Sequence, residues 1–202
     1  TEPEAGSDAT SIQSEAVVFQ QGNQLFLRIS LNKRWITLAP VATLIGVAVA
    51  LKDPEKLLNG LGQEGITCVL LHRDTPHLEV GPRHLPAGQS FMNGTVKGED
   101  IIVPIDQIIG GQEKAGHGWP MLVECLSIGR SISLPALATA SSAVCYLTSG
   151  AFCRLRRQFN TDIVQFEGIQ EKLAQIAGLH YLINVNRLMT LAAVDAGKKP
   201  AV

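Results

Sequence analysis

The sequence holds few of the groupings that mark metal, disulfide or nucleic-acid chemistry. Its four cysteines, Cys68, Cys125, Cys145 and Cys153, lie far apart, and no C-x-x-C pair occurs. That spacing argues against a zinc site and a disulfide framework, and it fits a reducing compartment. The five histidines show neither H-x-x-x-H nor H-E-x-x-H spacing, so metal chemistry is not expected. Acidic and basic residues nearly cancel to a net charge of -1, which gives no general attraction to nucleic acid or an anionic membrane. The one local basic cluster is Arg154, Arg156 and Arg157. The most apolar stretch, Ala39 to Leu51, is about 13 residues, short of the roughly 20 a spanning helix needs, and is better explained as a buried strand. No signal peptide or initiator Met opens the chain. Both ends read as cut, one inside a turn and the other just past a helical pattern, so a piece of a longer protein is expected.

What the sequence does contain is an ordinary globular composition, 46% hydrophobic and 17% charged, arranged in two halves of different period. From residue 15 to about 105 the period is that of strands. Glu15–Gln20, a turn at Gln21–Gln24, and Leu25–Ser30 read as strand, turn, strand. Trp35–Leu38, Ala42–Leu51, Ile66–Leu71, Leu78–Gly81, Thr95-Val96 and Glu99–Pro104 follow as further extended segments. Short strands without helical spacers predict a small antiparallel barrel or sandwich. From Gly118 the spacing becomes helical, with Trp119, Leu122, Val123, Leu126 and Arg130 followed by Ala136, Ala140, Ala143 and Leu147. Pro135 should kink this helix or mark a helix start. A second helix is expected over 166–196, closed by Gly197 with Pro200 as a following breaker. The fold class is therefore β then α: an antiparallel β-barrel or sandwich over 1–112, then part of an antiparallel helical bundle over 113–202. The helix pair needs more helices to bury both its faces.

Four features have side chains suited to ligand chemistry, and each also has a plainer structural reading. Thr1-Glu2-Pro3-Glu4-Ala5-Gly6-Ser7-Asp8 is a polar turn in which Gly6 permits close approach and Thr1 and Ser7 offer orientable hydroxyls. A solvated loop accounts for the same residues. Alternation puts Trp35 and Thr37 on one strand face, about 7 Å apart, which suits a planar heteroaromatic ligand and equally a core Trp beside a strand Thr. Arg130, in an otherwise apolar helix, either pairs with an acid or faces an anionic or carbonyl ligand. Arg156-Arg157-Gln158-Phe159 either favours a helix C-terminal dipole or contacts a phosphate.

The order and spacing of these features resemble the acyl-CoA dehydrogenase family. T-E-P-x-A-G-S-D is followed some 25 residues later by Lys33-Arg34-Trp35-Ile36-Thr37, where the family has K-x-W-I-T. Gly116-x-Gly118 leads to Gly129-Arg130, and Arg156-Arg157-Gln158-Phe159 stands where the family has R-x-x-F. The run Leu126 to Pro135, with Glu167-Gly168-Ile169, looks most like the bacterial fatty-acid-degradation branch. The resemblance implies FAD as cofactor and α,β-desaturation of an acyl-CoA, the first step of fatty-acid β-oxidation. It implies that Thr1 bonds the flavin pyrimidine edge, that Trp35-Ile36-Thr37 line the isoalloxazine, and that Ser7 lies where flavin and acyl-CoA meet. Arg130 would sit near the thioester, and Arg156, Gln158 and Phe159 would reach the FAD of a neighbouring subunit. The implied partners are an electron-transfer flavoprotein and further copies of the chain, in a homodimer or homotetramer. The expected location is the bacterial cytoplasm, with a peripheral place at the inner membrane as the other expectation.

Two departures stand out. Some branches carry the catalytic Glu beside the Arg130 position, but here that residue is Gly129, and Glu124 is more than a turn away. No base is assigned in this chain; it is expected downstream of Val202. Glu4 replaces the commoner Gly, adding a negative charge near a phosphate-bearing cofactor unless it faces solvent. The rival readings are an acyl-CoA oxidase on the same scaffold and a non-catalytic assembly module.

Overall fold

Apolar residues at every second position from Glu15 onward form a hairpin. Strand β1 (Glu15–Gln21) pairs antiparallel with β2 (Gln24–Thr37) across a loop in which Gly22 takes φ 61, a conformation open to glycine. The computed structural model describes residues Thr1–Lys198, so the expected breaker Pro200 lies outside the described residues. Within Thr1–Leu122, the first of two compact units, four further strands join the hairpin. They are β3 (Leu44–Lys52), β4 (Gly65–His72), β5 (Glu79–Arg83) and β6 (Asn93–Pro104).

The strand order is β4-β3-β1-β2-β6-β5. β4 and β5 end the sheet at opposite edges, so it does not close into a barrel. Every neighbouring pair is antiparallel except β1 and β3, which run parallel from Glu15–Val17 against Ala50–Lys52. Inward residues Leu27, Ile29, Leu51, Leu71 and Ile101 are fully buried, each stabilising the unit by about 2 kcal/mol. Of the apolar stretch Ala39–Leu51, expected as a buried strand, the part from Leu44 is strand β3, buried on one face only, and residues 39–43 are turn and bend.

Two pairs of expected segments prove to be single long strands. Leu25–Ser30 and Trp35–Thr37, the expected Trp35–Leu38 less its last residue, are both part of β2, and Thr95-Val96 and Glu99–Pro104 are both part of β6. The polar residues Asn32, Lys33 and Arg34 had interrupted the apolar pattern of β2. They continue the strand because its partner β6 runs alongside them, pairing Asn32 with Lys97 and Lys33 with Val96.

Helix α1 spans Gly118–Leu155 and continues on both sides of Pro135. Pro135 is thus neither a start nor an end. Its missing N–H removes one backbone bond from a long helix, and the Thr139 hydroxyl donates to the Pro135 carbonyl at 2.8 Å. In the second unit, α2 (Glu167–Asp195) runs antiparallel to the latter part of α1. Ser142 Oγ meets His180 Nδ1 at 2.9 Å, the Tyr146 and His180 rings stack at 5.7 Å, and Arg154 shares a cleft with Leu173. Gly197, at φ 69, closes α2 with its N–H bonded to the Val194 carbonyl, the glycine stop its position predicted.

Much of the helical apolar surface stays open: Leu126, Leu137, Leu147, Leu155, Tyr181 and Met189 are all exposed. Among the described residues, α1 is the one helix long and apolar enough to cross a membrane, and 6% of its most apolar window is buried. The same surface is what a helix pair shows when further helices are needed to cover it.

Candidate functional site

The opening segment is held to the sheet by a buried charge pair. Alternation along β2 carries Leu27, Ile29 and Leu31 into the core and takes Lys33 with them, 4% exposed. A buried ammonium needs partners. Lys33 Nζ donates to Glu2 Oε1 at 2.5 Å and to the Ala48 carbonyl at 2.6 Å. Glu2, itself 2% exposed, also accepts from the backbone N–H of Gln13 at 2.6 Å and of Ser14 at 3.3 Å. Burial pushes the Glu2 carboxyl up. Hydrogen bonds from Lys33, Ser14 and Gln13, with the Lys33 charge, outweigh it and hold the pKa at about 2. Burial lowers the Lys33 pKa, and Glu2 opposes that shift.

This clamp lays Thr1–Pro3 along the end of β2. The Arg34 N–H donates to the Thr1 carbonyl at 3.0 Å, and Arg34 Nη2 donates to the Pro3 carbonyl at 3.0 Å. Trp35 is the next residue. β2 and β6 pair Lys33 with Val96 and then Ile36 with Gly94, so Arg34 and Trp35 bulge out opposite Thr95 alone. Trp35 takes φ 60, a left-handed conformation that costs a non-glycine residue about 1 to 3 kcal/mol. Ile36 packs against the core, whereas Trp35, 45% exposed, and Thr37 face solvent. Both therefore point away from the core, but through the bulge and not through the simple strand alternation expected from sequence.

Two neighbours of this bulge carry polar atoms of interest. Asn93, the register partner of Thr37, is buried, and its Oδ1 has no protein partner among the described residues. An acceptor left unpaired this way costs about 1 to 3 kcal/mol, which a ligand donor would recover. His84 lies with its ring centroid 4.2 Å from that of Trp35, tilted by 44°, and its Nε2 accepts the Trp35 backbone N–H at 3.4 Å.

The remaining predicted residues fall into place separately. Ser7 is exposed, next to Asp8, whose carboxylate accepts from the hydroxyls of Ser11 and Thr10 and is lowered by them. Glu4 is exposed, so its charge faces solvent. A Cβ added at Gly6 would meet nothing within 4 Å, so no protein contact demands glycine there. Gly116 and Gly118 serve packing: added Cβ atoms would lie 2.5 Å from the Gln63 carbonyl and 2.7 Å from the Ile66 carbonyl.

In the second unit, Arg130 is exposed on α1, and among the described residues no acid pairs with it. The structural ion pair that its sequence position allowed is not formed. Glu124 is likewise exposed. After α1, β7 (Arg157–Gln158) and β8 (Thr161–Asp162) form a minimal hairpin pinned by an Arg157–Asp162 ion pair at 3.4 Å. Its tip residues Phe159 and Asn160 take φ 52 and 61, and Phe159 is 90% exposed. An aromatic in the left-handed region, presented to solvent, is a costly choice unless something receives it. Arg156 and Gln158 flank the same tip, both exposed.

The structure gathers Thr1, Trp35 and Thr37, singled out from the sequence, around the end of β2, and adds Glu2, Lys33, His84 and Asn93, which the sequence reading did not single out. Only Lys33 left a readable signal, as the polar member of an inward-facing alternation.

Comparison with known proteins bears on the family of the chain. Residues 1–100 match the family model for the acyl-CoA dehydrogenase middle domain, and residues 116–201 match that for the C-terminal domain. The chain is 33% identical over 195 residues to the probable acyl-CoA dehydrogenase YngJ of Bacillus subtilis, covering 96% of this chain and 47% of that protein. It is 48% identical over 104 residues to Protein HemX of Proteus mirabilis, covering 52% of this chain and 61% of that protein. The solved acyl-CoA dehydrogenase of Bacillus anthracis, a complex with FAD, is 26% identical with a TM-score of 0.69, over 93% of this chain and 30% of that one. In each case the chain spans less than two thirds of its relative's length. With both domain models matched in sequence and the same β-then-α architecture, the chain belongs to the acyl-CoA dehydrogenase family.

Proposed function

We propose that this chain carries part of the flavin and acyl-CoA site of an FAD-dependent acyl-CoA dehydrogenase that desaturates a fatty acyl-CoA to its trans-2-enoyl-CoA, the first step of β-oxidation. The observation that supports this most is the clamp that seats Thr1–Pro3 beside the Trp35 bulge, with Thr37 exposed two residues further on. A planar cofactor fits these residues: an open indole, an exposed hydroxyl, and the orphaned buried acceptor of Asn93 in register with Thr37. A bound flavin would supply the hydride acceptor that removal of hydride from the substrate β-carbon requires.

The chain's own residues hold and orient. Trp35 would pack against the ring system, with Thr37 and Thr1 as its hydrogen-bond partners, while Ile36 anchors the bulge in the core. Ser7, exposed, would contact the cofactor and the acyl-CoA where they meet. Arg130, exposed and with no acid partner among the described residues, would serve the thioester of the substrate. An α-proton next to a thioester is weakly acidic, so its removal needs a polarised carbonyl and a desolvated carboxylate. We place that carboxylate downstream of Val202, because Gly129 stands beside Arg130 and Glu124 is exposed. The Phe159 tip, with Arg156 and Gln158, would hold the FAD of a neighbouring subunit in a homodimer or homotetramer.

The full-length protein tests the reading. Purified protein should be yellow with bound flavin, should bleach on addition of a saturated acyl-CoA, and should pass electrons to an electron-transfer flavoprotein. Peroxide release in place of acceptor reduction would make it an oxidase. A colourless protein with no affinity for FAD would leave only the assembly module.

A further inference from the structure

The bulge that presents Trp35 has a counterpart across the sheet. On one side of β6, β2 steps from Lys33 opposite Val96 to Ile36 opposite Gly94, leaving Arg34 and Trp35 against Thr95. On the other side, β5 steps from Val80 opposite Val96 to Arg83 opposite Gly94, leaving Gly81 and Pro82 against the same residue. Two irregularities therefore flank one short stretch of β6, and bulges turn the side chains beside them. Glycines make the double step possible: a Cβ at Gly81 would lie 2.1 Å from Thr95 Oγ1, and one at Gly94 would lie 3.0 Å from the Pro82 carbonyl. His84, directly after β5, is fixed to β6 by its N–H on the Asn93 carbonyl at 2.8 Å. The outcome is contact between residues from strands that do not neighbour each other, the His84 ring on the Trp35 indole and Nε2 on the Trp35 N–H.

We propose that His84 is a positioning residue that braces Trp35 from behind and so sets the tilt at which the indole meets the flavin. This rests on the flavin reading given above. A left-handed Trp with nearly half its surface open has little else to fix it. Its strained backbone is held by a hydrogen bond and its ring by a second ring, both from one side chain. Such strain persists only where the surroundings determine it, and it gathers at ligand-contacting positions.

The test uses full-length protein with Trp119→Phe, so that Trp35 emission can be followed apart from the other tryptophan of this chain. Without flavin, His84→Ala should shift the Trp35 emission, and His84→Phe, which keeps the ring contact, should restore much of it. The FAD dissociation constant should rise about threefold to tenfold in His84→Ala, the loss expected for one aromatic contact, and by less in His84→Phe. Unchanged Trp35 emission in His84→Ala would overturn the brace. So would unchanged FAD affinity in His84→Ala while Trp35→Ala loses affinity, and the flavin reading would then stand. If Trp35→Ala itself binds FAD as well as the parent, the flavin reading fails and the brace falls with it.

Discussion

Replacing Glu2 by Gln is expected to destabilise the β unit by about 3 kcal/mol and to loosen the segment that carries Thr1. The folded carboxyl titrates at about 2 against an ordinary 4.5. At about 1.4 kcal/mol per unit that difference is about 3 kcal/mol. Removing one member of a buried pair and stranding the other charge costs about 3 to 5 kcal/mol, which agrees in size. The Glu2 figure overstates what the pair contributes as a whole, because the same burial disfavours the Lys33 ammonium. A double replacement separates the two quantities. Glu2→Gln and Lys33→Met should each lower the urea midpoint and lower Tm by about 10 °C, and the combined variant should return to within about 1 kcal/mol of the parent.

The acid limb gives an independent check. Because the folded pKa lies below the unfolded one, the stabilisation is complete above about 4.5 and is lost as pH falls from there toward about 2. Parent stability should drop through that window by about 3 kcal/mol more than that of Glu2→Gln, which has no carboxyl to titrate. Measured by urea unfolding at several pH values, a single-variant loss below about 1 kcal/mol would refute the reasoning. Losses that simply add in the double variant would refute it equally.

Other outcomes follow from the same geometry. Gly116→Ala should destabilise by about 2 kcal/mol or more, read from the urea midpoint, because Gly116 takes φ 76 and the new Cβ would lie 2.5 Å from the Gln63 carbonyl. Phe159→Ala should leave Tm within about 1 °C, since the ring is 90% exposed, yet weaken FAD binding or subunit association in the full-length protein, measured by flavin titration and sedimentation. On the proposed function, Glu124→Gln in the full-length protein should keep turnover of an acyl-CoA. Complete loss of turnover with flavin still bound would place the base on α1.

The two-part architecture was legible because it rests on period, and period is a local property. Alternation from Glu15 and helical spacing from Gly118 each announced an element type, and Gly197 closed α2 as its position predicted. Strand continuity was not legible at Asn32–Arg34 or around Lys97–Gly98, because what keeps those residues in strand is the partner lying alongside, and pairing is decided by tertiary contact. The open sheet edge and the parallel β1–β3 pair were hidden for the same reason.

At the site the division falls between chemistry and support. Thr1, Trp35 and Thr37 stood out because hydroxyls and a planar ring are recognisable as residue types. Glu2 and His84 did not, because their importance comes from partners 31 and 49 positions away. Lys33 marks the boundary. The series Leu27, Ile29, Leu31, Lys33 points a lysine inward, and an inward ammonium requires a buried acceptor somewhere in the chain. That requirement could be stated from sequence alone, and its most economical answer is a carboxylate in a segment with no core of its own. The acid of the opening Thr-Glu-Pro turn meets that description. The segment that looked like a solvated loop is held because the strand beneath it buries a charge it cannot satisfy alone, and the clamp seats Thr1 on the backbone N–H of Arg34, the residue before Trp35.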